Sequence, residues 1–533
     1  MLRQFYIVSG IIIIGVLIGG YFWTPLWWLF IIIAPVFLLG VYDSLQTKHT
    51  VMRNFPLLGR GRYFMEDLRP KIYQYFVESD IDGRPFDRNY RSIVYARAKG
   101  ELDTKPFGTQ RDVYKTGYEW INHSLTAFPA DELDQNPRVM IGEGSCSAPY
   151  SASIFNISAM SYGSLSKNAI KALNGGAMLG GFYHNTGEGG LSKHHLHYKG
   201  DIVWQIGTAY FGCRDEKGNF HADRFAENAG HECVKMIEVK LSQGAKPSHG
   251  GILPARKNTD EIAEIRHIKP YTKVISPNTH SAFSTPSEMM HFIAKLRELS
   301  GGKPVGIKLC IGRWSELFSL CKAMVKTNIT PDFITVDGGE GGTGAAPLEF
   351  SDSVGNPMLD AVAFVHDALY GFGLKDRVKL IASGKIITGF HVLRAMSLGA
   401  DLCNSARGMM FALGCIQALE CNLNTCPTGV ATQDPALVRG LVVEDKKHRV
   451  ANFHAETVRS FLELIAATGL RDHNKVSRDI IFKRVSQERI MRYDEIYPII
   501  PCDSLRNGMS PDRYLRHLGE ASEDTFEPGI VNI

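Results

Sequence analysis

The segment "GCIQALECNLNTCPTGVATQ" places Cys415, Cys421 and Cys426 within twelve residues and closes them with Pro427. Soft thiolates at this spacing suit an iron–sulfur cluster, with buried structural thiols as the competing reading. Three cysteines are one short for a cubane and the right number for a three-iron cluster. Zinc fits less well, because no fourth cysteine or histidine follows nearby. Two further segments have the chemistry of a phosphate site. "ASGKIITG" carries Ser383, Gly384 and Lys385, and "SARGMM" carries Ala406 and Arg407. Each is expected to leave a strand and open a helix, where backbone N–H groups and the helix dipole favour an anion. "GGEGGTGAAP" (Gly338–Pro347), with Gly341, Gly342 and Thr343, offers a cradle for the same ligand. No G-x-G-x-x-G opens a helix after a first strand, so a mononucleotide such as FMN fits better than a dinucleotide.

These segments need a frame that brings them to one place. From about residue 150, short β-branched runs alternate with helical stretches. The expected strands are Ser153–Ser158, Gly181–Asn185, Met236–Lys240, Thr272–Ser276, Val305–Leu309, Phe333–Val336, Lys379–Ala382 and Asp401–Asn404. Between them lie expected helices such as Ser166–Met178, Thr259–His267, Pro286–Leu299, Trp314–Lys326 and Gly389–Leu398, with Gly408–Leu419 after the last strand. Eight strand–helix pairs predict an α/β fold of the (β/α)8, TIM-barrel type, with a doubly wound open sheet as the alternative. Glycine, 52 residues in all, is concentrated between about 140 and 430, in polar runs after the strands. That is the barrel face on which active sites are built.

The chain opens differently. Phe5–Phe22 and Leu26–Val41 are apolar runs without a charge, each approaching the length that spans a bilayer as a helix. Pro25 and an aromatic cluster separate them, as at a lipid–water interface. A transmembrane hairpin is expected over 1–45, with a cleaved signal peptide as the competitor. Arg3 before the first run and Lys48, Arg53, Arg60 and Arg62 after the second put both ends, and the barrel, on the cytoplasmic side. A linker and N-terminal extension is expected over 46–115, the barrel with its cysteine loop over 116–470, and a C-terminal extension over 471–533. The net charge of +4 is small for 533 residues, and no basic cluster interleaved with aromatics points to nucleic acid.

From about Met160 to Pro435 the chain resembles the synthase domain of the glutamate synthases, the FMN-containing core that reduces 2-iminoglutarate to glutamate. The matching stretches are "NTGEGG", "KLSQGAKPSHGG", "DGGEGGTGAAP" and "GCIQALECNLNTCPTGVATQDP". The resemblance implies a [3Fe–4S] cluster on Cys415, Cys421 and Cys426. It implies 2-oxoglutarate contacts at Glu188, Lys246 and Arg266, where Arg supplies a fork matched to a carboxylate and Glu188 holds an amine or relays its proton. Lys240 and Lys308 stand at strand ends, where a cation stabilises negative charge on a reduced flavin. Met160, Ser161 and Tyr162 in "AMSYGSLS", with Gly384 and Arg407, are assigned to FMN, the last two near its phosphate. His280 is expected to be a packed loop histidine.

The departures from the family pattern shape the functional expectation. The family's large chains begin with a nucleophilic cysteine that releases ammonia from glutamine, whereas Cys146 is the first cysteine here. The glycine-repeat β-helix and an NADPH-binding partner domain are likewise not seen. Where the family often has glutamine after the "GG" of the Lys246 loop, this chain has Ile252. The expected enzyme is a membrane-associated, glutamate synthase-like oxidoreductase. It would aminate 2-oxoglutarate or a related 2-oxo acid with ammonia, using electrons from an unidentified protein or membrane carrier. The alternatives are an FMN amine or 2-hydroxy-acid dehydrogenase feeding a membrane carrier, and a non-catalytic redox sensor.

Overall fold

The structure, a computed structural model, describes residues 1–530 and divides into two compact units, Met1–Arg88 and Asn89–Ile533. The last three residues of the expected C-terminal extension lie outside the described residues.

The first unit begins with helices α1 (Leu2–Phe22) and α2 (Phe30–Leu45), joined by a 3-10 turn over Thr24–Leu29. Pro25 sits at the start of that turn, where a missing N–H costs nothing. The start of α1 packs on the second half of α2: Phe5 stacks on Phe37, and the Tyr6 hydroxyl lies 2.6 Å from Ser44 Oγ. Leu2–Phe22 and Thr24–Leu45, the second counted with the 3-10 turn, are long and apolar enough to cross a membrane, and most of their large side chains are exposed. After α2 the chain turns back. Asp43, fully buried, receives the Arg60 guanidinium at 2.7–3.0 Å and the Leu57 N–H at 3.1 Å.

The second unit is built on a closed barrel of eight parallel strands. They are β1 (Phe155–Ile157), β2 (His184–Asn185), β3 (Ile202–Ile206), β4 (Val234–Lys240), β5 (Val305–Leu309), β6 (Phe333–Asp337), β7 (Lys379–Ser383) and β8 (Leu402–Ser405). Almost every strand residue is buried, the signature of parallel strands covered on both faces. Inside, Glu238 of β4 accepts hydrogen bonds from Asn185, Gln205 and Thr335, so a buried carboxylate is satisfied by neutral donors from β2, β3 and β6.

Seven of the eight expected strands fall on the barrel; the fourth does not. Only Val274–Ile275 of Thr272–Ser276 is extended, and it pairs antiparallel with Ile252–Leu253 in a small hairpin after β4. The barrel strand missing from the sequence reading is β3, "IVWQI". The helix expected over Gly408–Leu419 is also shorter: Arg407–Ala412 ends before the cysteines, which lie in a loop.

The stretch between β4 and β5 is the longest excursion at the barrel mouth. It holds the hairpin, the turn Ala255–Lys257, the helix Asp260–Arg266 and the helix Pro286–Leu299. Residues 89–115, expected within a linker, belong to the second unit; Tyr95 OH donates to Cys415 O at 2.6 Å and Asn452 Nδ2 donates to Ala98 O. After the long helix Val443–Ala467, the C-terminal extension returns. Ile481–Arg484 pairs with Glu119–Ile121 on one side and with Ile490–Arg492 on the other. Arg478 then meets Asp367 at 2.7 Å with both side chains buried.

Candidate active site

Strand register brings the first two lysines together. Lys240, the last residue of β4, is the Cα partner of Lys308 on β5, so both ammonium groups emerge at the C-terminal mouth. Lys240 Nζ lies 2.8 Å from Glu188 Oε1 and 2.7 Å from Gln243 Oε1. Lys308 faces Asp337 at the end of β6, 3.3 Å away. Burial alone would lower the Lys308 pKa, but Asp337 and Glu238 hold it above its ordinary value.

Glu188 comes from the loop after β2 and is the centre of the cluster. Burial opposes its ionisation, yet Lys240, Arg266 and Lys246 together hold its carboxyl below the usual range. Arg266 ends the helix Asp260–Arg266, which Thr259 caps by accepting from Ile262 N–H. Its guanidinium donates to Tyr162 O at 2.9 Å, lies over the Phe211 ring at 4.9 Å and leaves Nε without an acceptor. Burial pulls the Arg266 pKa down to about 10. Lys246, 3% exposed, has its pKa lowered by burial, against the pull of Glu188. Three cations thus surround one carboxylate, leaving a surplus of two positive charges.

An open cleft reaches this cluster between Glu188, Thr208, Lys240, Gln243, His249 and Asn278. Lys246 and Arg266 do not line that cleft, although both act on Glu188. Ile252 belongs to the hairpin, opposite Ile275, just past the Gly250–Gly251 edge of the cleft. His280 uses both ring nitrogens, one toward Tyr210 OH and one toward Lys240 O, so it packs and supports β4 as expected.

The predicted flavin residues occupy the neighbouring loops, after β1, β6, β7 and β8. Ser383 Oγ donates to Asp337 Oδ1 at 2.9 Å and lies 3.3 Å from Ser158 Oγ, joining β1, β6 and β7. Arg407 Nη2 donates to Glu340 O, and its guanidinium occupies space that a Cβ on Gly342 would enter at 2.5 Å. The Gly341–Thr343 loop therefore lies close against that cation. Lys385 adopts φ 50° in the loop after Gly384. The helix here starts at Gly389, as expected, with Thr388 as its cap, so Gly384 and Lys385 stand in the loop before it. Met160 is nearly buried, and Ser161 lies against Gly187 of the Glu188 loop. Tyr162 turns its hydroxyl to Glu261 at 2.6 Å and gives its carbonyl to Arg266, so its contacts organise the helix Asp260–Arg266. A half-buried guanidinium, a glycine edge and Lys308 nearby fit a phosphorylated flavin.

The cysteines occupy a loop in which Gln417, Leu419 and Asn424 hold left-handed φ values of 57°, 59° and 64°. Burial, reinforced by the neighbouring Cys421 and Cys426 sulfurs, pushes the Cys415 thiol up to about 12, so a metal's positive charge is needed to keep it ionised. Among the described residues, no three His, Cys, Asp or Glu side chains converge as holding one metal ion requires. The three sulfurs still feel one another's charge. Three soft sulfur donors in one loop are the donor set an iron–sulfur cluster takes.

Lys257 is a site residue the motifs do not mark. Its ammonium donates to Cys421 O at 2.8 Å, Ala431 O at 3.0 Å and Ser164 O at 3.4 Å, tying the cysteine loop to the loop after β1. In the sequence it is one lysine in "LPARKNTDEI", and only the fold reveals what it touches.

Parallel eight-stranded barrels build their active sites at this C-terminal mouth, and it is there that the chain gathers its buried charges. Residues 122–471 match the family model described as the conserved region in glutamate synthase, and the chain belongs to that family, as a glutamate synthase-like oxidoreductase. The glutamate synthase large subunit-like protein YerD of Bacillus subtilis (strain 168) is 38% identical over 508 residues, covering 87% of this chain and 96% of that protein. The archaeal-type glutamate synthase [NADPH] of Thermotoga neapolitana is 35% identical over 313 residues, 58% of each chain. Among solved structures, a flavocytochrome b2 variant with benzoylformate aligns with a TM-score of 0.45 at 12% identity, over 84% of this chain and 96% of that one.

Proposed function

We propose that the chain is an FMN- and iron–sulfur-dependent oxidoreductase that aminates 2-oxoglutarate, or a closely related 2-oxo acid, to the amino acid, with ammonia as the nitrogen source. The observation that carries this reading is the charge surplus at the mouth. Lys240, Lys246 and Arg266 face the single carboxylate of Glu188, and the two positive charges left over match a dicarboxylate. Family membership supports the reaction type.

FMN, when bound, supplies the hydride, and the cluster supplies a one-electron path to it. Ser161, Gly341, Gly342, Ser383, Gly384, Lys385 and Arg407 would hold the flavin, with Lys308 beside it. Arg266 and Lys246, which act on Glu188 without lining the open cleft, supply the positive charge for the two acid carboxylates. Lys240 keeps Glu188 ionised, so that Glu188 Oε1 or Oε2 accepts an N–H from the incoming amine and takes its proton. On this reading α1 and α2 anchor the enzyme in a membrane with its barrel on the cytoplasmic side, and electrons arrive from a protein or membrane carrier. The anchor also favours a second reading, an amine or 2-hydroxy-acid dehydrogenase that delivers electrons into the membrane.

The test is anaerobic. The loaded, reduced protein is mixed with 2-oxoglutarate and ammonium while flavin absorbance is followed. Rapid reoxidation that needs both additions is the expected result. A protein carrying both cofactors that does not reoxidise would sink the assignment and shift it to the dehydrogenase.

A further inference from the structure

The turn Ala255–Lys257 leads from the hairpin into the helix that carries Arg266, and it presents a lysine the proposed reaction does not use. Lys257 is 3% exposed. All its donors go to main-chain carbonyls, those of Ser164, Cys421 and Ala431, and among the described residues no carboxylate lies within ion-pair distance of it. The charged or ionisable groups it feels are Cys421, Cys426 and Arg256. A buried ammonium without a counter-ion is costly, and carbonyl dipoles satisfy its hydrogen bonds without cancelling its charge.

We propose that Lys257 is the built-in counter-charge of the iron–sulfur cluster, a positioning residue that favours the cluster's reduced, more negative state. The inference rests on the reading of Cys415, Cys421 and Cys426 as ligands. Binding iron converts those thiols to thiolates and places negative charge beside this buried lysine. Reduction adds one electron and one further negative charge, which a cation in a low-dielectric setting stabilises more than it does the oxidised state. The same ammonium also holds the cysteine loop to Ser164, three residues from Ser161, so the group that tunes the electron's stopping place also fixes its distance from the proposed flavin loop.

The experiment uses the full chain in detergent, reconstituted with iron and sulfide, and compares it with Lys257→Arg and Lys257→Gln. Iron per protein, the EPR signal of the oxidised three-iron cluster and a dithionite redox titration are read for each. Lys257→Arg is expected to keep both the iron and the midpoint. Lys257→Gln, which can still donate to carbonyls, is expected to keep iron and hold the electron at least tenfold more weakly, a negative shift of about 59 mV for a one-electron couple. Loss of iron in the glutamine variant alone would likewise support the counter-charge. A wild-type midpoint in Lys257→Gln, or equal shifts or iron loss in both variants, would overturn it. A wild-type chain that takes up no cluster defeats the reading of the cysteines instead, and is distinguishable on that ground.

Discussion

Replacing Lys240 with methionine keeps the stem and removes only the charge that lies 2.8 Å from Glu188. At an effective dielectric near 20, the lost attraction at that separation is about 6 kcal/mol. Part of it is offset because the methionine leaves no buried ammonium to desolvate, and because Lys246 and Arg266 still attract Glu188. Glu188 also keeps 18% of its side-chain surface exposed. The expected cost therefore sits at the low end for a broken buried pair, about 3 kcal/mol. The pH dependence follows from the direction of the shift. The Glu188 carboxyl is held below its ordinary range, so the pair's contribution is complete above that range and fades as pH falls through the lower folded value. In Lys240→Met the deficit should be largest at neutral pH and shrink on acidification, as the stranded carboxylate takes up a proton. Denaturant unfolding of the wild type, Lys240→Met, Glu188→Gln and the double variant across pH gives the coupling energy directly. The double variant should recover most of the loss. A deficit under about 1 kcal/mol that ignores pH, as for a solvated surface pair, would refute the reasoning.

Two other perturbations probe separate parts of the molecule. In Gly244→Ala, the new Cβ would stand 1.9 Å from Gly338 O and 3.3 Å from Gly341 Cα. Parting those loops should cost about 1–3 kcal/mol and lower flavin affinity in a fluorescence titration; unchanged affinity would mean the Gly338–Thr343 loop does not hold the flavin. In Arg60→Met, buried Asp43 would keep the Leu57 N–H and lose the guanidinium. A loss of about 1–3 kcal/mol should then appear as faster proteolysis within residues 46–57, and an unchanged cleavage rate would show the clamp to be incidental.

The sequence reveals the chemistry more readily than the path of the chain. Cys415, Cys421 and Cys426 are legible because few roles suit three thiols at that spacing. The form of their loop is not, since Gln417 and Leu419 carry no mark of left-handed backbone and only Asn424 is of a type enriched there. Buried β-branched runs mark most of the strands, and the error at Thr272–Ser276 shows the limit of that signal. A two-residue barrel strand, His184–Asn185, and a two-residue hairpin strand, Val274–Ile275, look alike along one dimension. Only the identity of the hydrogen-bonded neighbour separates them. β3 escapes because a glutamine and a tryptophan interrupt its aliphatic run, although Gln205 turns inward to Glu238. Lys246 and Arg266 are reached through the family resemblance. Lys257 carries no such motif, because its meaning lies in carbonyls contributed from distant segments.

The excursion between β4 and β5 supplies Lys246, Lys257 and Arg266 from a single stretch of chain. On the proposed reading, one inserted cassette carries both the selector of the acid and the regulator of the electron. A family that diversifies by remodelling this segment would not change substrate preference alone. Each new version would arrive with its own electron affinity, so specificity and choice of redox partner would drift as one inherited trait.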